Sequence, residues 1–140
     1  MMRTKDIPIE VLKNEDEMFE FLLERNPSLE RAPDPYSYYD CYTRKSIIEL
    51  KARKKWYKFK MIEEMKYANL LHSCAETKRR PYYCVADEKG IWIFDLLKDD
   101  EEPIWEMREM SKTTQFGNTD KVMKKVGYLN EDNAIWKYVY

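Results

Sequence analysis

Met18, Phe19, Leu22 and Leu23 recur at the spacing of a single helix face. Asn14-Glu15-Asp16-Glu17 precedes them with a capping residue, a glutamate three positions later and acids in the first turn, so a helix is expected from about residue 15. Asn26-Pro27 ends it, and the three prolines of residues 27–35 predict a loop. Tyrosine-rich Tyr36 to Thr43 and apolar Ser46 to Ala52 read as two strands joined closely enough for a hairpin centred between Arg44 and Lys45. From Trp56 to about Ala75 no Gly or Pro interrupts the chain. Two apolar stripes there, Tyr57/Met61/Met65/Ala68/Ala75 and Phe59/Ile62/Leu70, predict one long helix covered on two sides. Pro81 to Ala86 and Ile91 to Leu97 flank the turn Asp87-Glu88-Lys89-Gly90 as a second hairpin. Ile104 to Met110 and Lys121 to Leu129 are further strands, joined by a polar loop around Gly117-Asn118. The order of helix, hairpin, helix, hairpin and further strands predicts an α/β (α+β) fold.

Composition narrows the classes. At 140 residues the chain fits one domain, and with 44% hydrophobic and 14% aromatic residues it can bury a core. No apolar run approaches the length of a membrane-spanning helix, and the first residues lack the apolar stretch of a secretory signal, so a cytoplasmic protein is expected. Cys41, Cys74 and Cys84 form neither a disulfide framework nor a zinc motif. Three glycines leave no phosphate-binding Gly-rich loop. Net charge is −1, yet eight Lys/Arg and one acid, Glu49, fall between Arg44 and Lys60. Residues Glu10 to Glu30 and Asp87 to Glu109 are acidic in compensation. A local basic stretch of this kind attracts phosphates even on a near-neutral protein.

The tripeptide acid-x-Lys occurs four times, at Glu49-Leu50-Lys51, Glu64-Met65-Lys66, Glu76-Thr77-Lys78 and Asp87-Glu88-Lys89. Only the first lies in a β-like apolar run, Ile47 to Ala52. On a strand Glu49 and Lys51 point to one face. The hairpin register sets Asp40 across from Glu49, with Cβ atoms about 5 Å apart. Facing carboxylates repel unless a cation lies between them. Mg²⁺ or Mn²⁺ takes oxygen ligands and suits the pair, and the Leu50 carbonyl adds another oxygen. Lys51 could then hold an attacking water or offset charge on a phosphate. The competing reading is a solvated strand in which Glu49 pairs with Lys51 or Arg44.

The stretch YDCYTRKSIIELKARKKWYKFKMIEEMKYANLL resembles small phage-encoded members of the PD-(D/E)xK nuclease superfamily, the group of restriction enzymes, Holliday-junction resolvases and exonucleases. The matching residues are Asp40, Glu49, Lys51, Tyr57, Ile62, Glu63, Lys66 and Leu70. The resemblance covers about residues 10–97. It implies a mixed sheet with an αβββαβ-like restriction-endonuclease core, here followed by a C-terminal β extension over residues 98–140. It also implies a Mg²⁺-dependent (deoxyribo)nuclease in the host cytoplasm, with DNA favoured over RNA, and leaves room for a homodimer. Asp40 and Glu49 would bind metal, Lys51 would be catalytic, and Lys66 would reach the scissile phosphate or a metal-bound acid. The literal Pro-Asp is Pro33-Asp34, so Asp34 is the alternative first acid, and Glu17 or Glu20 could complete the metal shell. Lys66 also continues the Phe59/Ile62/Leu70 stripe, and its competing reading is a snorkelling partner of Glu63.

Arg53, Lys54, Lys55 and Lys58 follow the Glu-x-Lys strand directly, interleaved with Trp56 and Tyr57. Basic residues position phosphates and aromatics stack on bases, so Arg53, Lys54, Lys55, Tyr57 and Lys58 are nucleic-acid-binding candidates, while Trp56 reads as core. Two alternatives stay open. One keeps the fold without catalysis, as a module binding nucleic acid or a host protein; the other is a structural protein whose charges are solvated faces.

Overall fold

A computed structural model describes residues 11–34, 37–98, 102–111 and 121–140. Helix α1 (Glu15–Arg25) starts where the capping pattern placed it: the Asn14 side chain accepts from the Glu17 backbone N–H at 2.8 Å. Strands β1 (Glu30–Arg31), β2 (Cys41–Tyr42) and β3 (Ser46–Ala52) form an antiparallel meander. β2 is shorter than its tyrosine-rich sequence suggests, and residues 37–40 bend before it. β1 lies inside the proline-rich stretch expected to be a loop, because Arg31 finds a partner in Cys41. Cys41 faces Ile48 and Tyr42 faces Ile47, the register expected of the hairpin.

The long helix expected from Trp56 is the main correction. Residues Phe59–Glu63 are strand β4, and helix α2 runs only from Glu64 to Thr77. Alternating burial over Phe59 to Glu63 has a period of two, and every residue of β4 pairs with β8 (Lys121–Asn130). Helical spacing and strand alternation share several positions here, and pairing with a distant strand decides between them. α2 ends at Lys78, whose φ of 58° is left-handed.

β5 (Arg80–Ala86) returns parallel to β3, setting Tyr83 beside Glu49. β6 (Gly90–Asp95) pairs antiparallel with β5, and β9 (Trp136–Val139) closes that edge. A Cβ at Gly90 would collide with the Tyr138 carbonyl, so glycine permits this close pairing. The result is a six-stranded mixed sheet in the order β1-β2-β3-β5-β6-β9. β7 (Ile104–Ser111) joins β8 and β4 in a second, three-stranded sheet. The loop around Gly117-Asn118 lies outside the described residues.

Two cores follow from strand alternation. Met18, Phe19 and Phe21 of α1 pack with Cys41, Leu50, Cys84 and Ile91 on one face of the large sheet. Ile47, Tyr83, Val85, Trp92 and Phe94 pack with Ile62, Leu70 and Leu129 on the other, under α2 and the small sheet. Glu49 and Lys51 alternate with Ile48 and Leu50 and share the face of Ile47. A carboxylate and an ammonium are therefore carried into the layer between the large sheet and α2. Among the described residues no helix is long and apolar enough to cross a membrane.

Candidate functional site

Asp40 is held on three sides. Its N–H donates to the Ile48 carbonyl and its carbonyl accepts from the Ala32 N–H, each at 2.9 Å. Its Oδ2 accepts from the Leu50 N–H at 2.7 Å. The register of β2 and β3 extended by one residue puts it opposite Glu49. Backbone groups of alternate residues leave a strand on the same edge. The Ile48 carbonyl and the Leu50 N–H both face Asp40, so the Leu50 carbonyl faces that edge too.

Glu49 is only 5% exposed. Burial first, then the Asp40 carboxylate, pushes its carboxyl up to about 7, while Lys66 pulls the other way. Lys66, on the first turn of α2, donates to Glu49 Oε1 at 3.0 Å. Partial burial lowers the ammonium's proton affinity, but Glu49 and Asp40 outweigh that and the net shift is upward. The snorkelling pair with Glu63 does not form; Glu63 pairs with Lys124 instead, at 3.2 Å. The same acidity reaches Cys41, whose thiol is pushed up to about 12 by burial, then by Asp40 and Glu49. Cys41 itself is core, as its position opposite Ile48 requires.

Lys51 follows on the same face. Burial, then Arg53, lowers its proton affinity, and Glu15 at the start of α1 raises it. Glu17 is used in capping, accepting from the Lys13 N–H at 3.4 Å, and Glu20 lies 3.7 Å from Arg31. Asp34 shares with Asp40 a cavity of about 360 Å³ whose wall includes Arg31, Ser37 and Tyr39. Tyr83, beside Glu49, donates its hydroxyl to the Met61 carbonyl at 2.8 Å and is itself buried.

Among the described residues no group of three or more His, Cys, Asp or Glu side chains is gathered as a complete metal shell. What is gathered is two carboxylates and one peptide carbonyl, all oxygen donors. That set fits a small hard cation, which keeps several waters and takes one or two protein carboxylates together with substrate phosphate oxygens.

Of the nucleic-acid-binding candidates, Arg53, Lys55, Tyr57 and Lys58 line one cavity next to this centre, while Lys54 is exposed outside it. Trp56 is partly buried against the second core and donates its indole N–H to Glu131 at 2.9 Å. Two contributors escaped the sequence reading: Arg108 and Tyr128 reach the cavity through the pairing of β4 with β8 and β8 with β7.

No protein-family profile matches this sequence, and no curated protein matches it. Among solved structures, the fold is similar to that of Hjc, a Holliday junction resolvase from the archaeal hyperthermophile Archaeoglobus fulgidus. The match has a TM-score of 0.51 over 85% of this chain and 93% of that one, at 14% sequence identity. The likeness is one of fold, a mixed α+β architecture.

Proposed function

We propose that this protein is a metal-dependent nuclease that hydrolyses phosphodiester bonds in DNA, with Asp40, Glu49, Lys51 and Lys66 as its working residues. One observation carries the reading: two carboxylates face each other at a strand end, one of them buried, with two lysines on the same side. A fold that needed only structure would not place that repulsion in a half-closed layer. The fold shared with a Holliday junction resolvase supports the same chemistry and suggests branched DNA as the first substrate to try.

Asp40, Glu49 and the Leu50 carbonyl would hold Mg²⁺ or Mn²⁺. When bound, the ion supplies compensating charge and polarises a phosphoryl oxygen. The protein residues set up the rest. Leu50 N–H fixes the rotamer of Asp40. Lys66 favours the ionised form of Glu49 by hydrogen-bonding it, against the burial and the Asp40 charge that raise its proton affinity. Lys51, with its lowered proton affinity, orients the attacking water and meets the charge that develops on the phosphate. The water oxygen forms the new P–O bond, the bridging P–O bond breaks, and the leaving oxygen takes up a proton.

The test is cleavage of branched and plasmid DNA with Mg²⁺ or Mn²⁺. Wild type cuts, and Glu49→Ala and Lys51→Ala each lose activity by at least about a hundredfold, the scale of removing one transition-state-stabilising group. Activity unchanged in both variants would end the assignment. Among the described residues only two acids are gathered, and a second reading accommodates that, a nuclease fold that binds nucleic acid or protein without cutting it. That reading predicts binding in the wild type with no metal-dependent product.

A further inference from the structure

A second cavity, of about 400 Å³, opens where β3 ends. Its size is within the roughly 300–1,000 Å³ of small-molecule sites. The chain runs into it directly from Lys51: the Arg53 N–H donates to the Ala86 carbonyl, continuing the β3–β5 ladder. The Arg53 guanidinium and the Tyr83 hydroxyl both donate to the carbonyl of Met61, a lining residue, at 3.4 and 2.8 Å. Val85, also in the lining, pairs with Lys51 as Tyr83 pairs with Glu49, so the cavity adjoins the strand that carries both.

The lining is cationic and aromatic. Lys58 is neutralised by Asp132 at 2.8 Å and Lys60 by Asp87 at 3.0 Å. Among the described residues no ion pair holds Arg53, Lys55 or Arg108. Tyr57, 63% exposed, and Tyr128 supply rings, and Arg108 donates to the Tyr128 hydroxyl at 3.2 Å, presenting a planar guanidinium at the rim. Glu106 accepts from the same hydroxyl at 2.6 Å, so that acid is engaged. Uncommitted cations beside aromatic faces in a concave site match one chemistry: a flat base attached to a phosphate. A base paired in a duplex cannot enter such a site without leaving the stack.

We propose that this cavity binds an unpaired nucleotide next to the scissile phosphate, with its base against Tyr57 and Arg108 and its phosphate against Arg53 and Lys55. The site thereby directs the enzyme to nucleic acid containing a single-stranded segment. The proposal rests on the nuclease reading for its account of the neighbouring phosphate. Binding itself requires no metal.

The experiment is fluorescence-anisotropy binding of a short labelled oligothymidylate in EDTA, beside an oligouridylate, a blunt duplex and an abasic strand of equal length. Tyr57→Ala and Arg108→Ala are compared with wild type, and far-UV circular dichroism checks their fold. The single strand binds in preference to the duplex. Each variant, and the abasic strand on wild type, weakens binding by roughly five- to a hundredfold, the effect of one stacked base. Whichever sugar binds more tightly identifies the natural strand. Duplex binding as tight as single-strand binding, abasic binding as tight as normal, or variants that bind like wild type would overturn the proposal. The readouts separate the two failures: loss of the single-strand preference in EDTA counts against the nucleotide site, whereas absence of metal-dependent cleavage by wild type counts against the nuclease reading alone.

Discussion

Two lysines in this protein sit beside paired carboxylates, and their surroundings differ sharply. Lys60 is buried among Asp87 and Glu131, at 3.0 and 3.2 Å, donates to the Tyr57 carbonyl, and sits 3.7 Å over the Trp92 ring. That ammonium hydrogen-bonds Asp87 and Tyr57 and is ion-paired with Glu131 as well, and the cluster ties together β4, the β5–β6 turn and the segment after β8. Lys66 is 51% exposed and bonds Glu49 alone, while Asp40 still presses on Glu49 and raises its proton affinity. The first cluster is complete without a ligand. The second leaves Asp40 exposed and Glu49 with a raised proton affinity on an open side, which is the condition for recruiting a cation and a phosphate. A strongly perturbed pKa marks function only when the perturbation is left uncompensated, and here that separates a structural network from a candidate centre.

The largest expected effect breaks the finished cluster. Asp87→Ala leaves Lys60 buried with one carboxylate fewer and should cost about 3–5 kcal/mol in denaturant unfolding, the scale for orphaning a buried charge. A loss below about 1 kcal/mol would show that the two clusters are not different in kind.

Next comes the unfinished one, in metal-free protein. Glu49 ionises near 4.5 when unfolded and near 7 when folded. The folded state therefore holds the proton more tightly. The resulting stabilisation is fully present below pH 4.5 and is lost as pH rises through 7. A displacement from 4.5 to about 7 corresponds to roughly 3 kcal/mol at about 1.4 kcal/mol per tenfold. Stability of the wild type should fall over that window, and Glu49→Gln should remove most of the slope and be the more stable protein at pH 8. Parallel pH profiles for the two would refute the account of Glu49.

A smaller effect sharpens the role of Lys66. Lys66→Met should cost about 1 kcal/mol or less at pH 8, since the ammonium is half exposed and screened by solvent. It should also move the pH-dependent decline to higher pH, because Glu49 loses the charge that favours its ionised form. A decline unmoved on the pH axis would mean that Lys66 does not set the ionisation of Glu49.

Much of the centre was legible locally. Asn14 and Glu17 marked α1, and the alternation of Ile47 to Lys51 with a symmetric hairpin put Asp40 opposite Glu49. These features depend on residues within a few positions of one another. Strand β4 was not legible, because Phe59, Ile62, Lys66 and Leu70 also fit a helical stripe, and the deciding partners, Gly127 to Asn130, lie more than sixty residues away. Separation along the chain also hid the fate of Lys60, which reads as one more surface charge until Asp87 and Glu131 are brought to it. Lys66 reached Glu49 as the resemblance implied, but from the first turn of a short helix rather than the middle of a long one.

The most direct test of the central claim is a Mn²⁺ titration at pH 8 that follows the melting temperature of wild type and Glu49→Gln. If Asp40 and Glu49 hold a divalent cation, the wild-type midpoint rises by several degrees and saturates by millimolar Mn²⁺, consistent with about 2.7 kcal/mol at a hundredfold excess over Kd, while the variant stays flat. A wild type that does not respond, or a variant that rises equally, would contradict it.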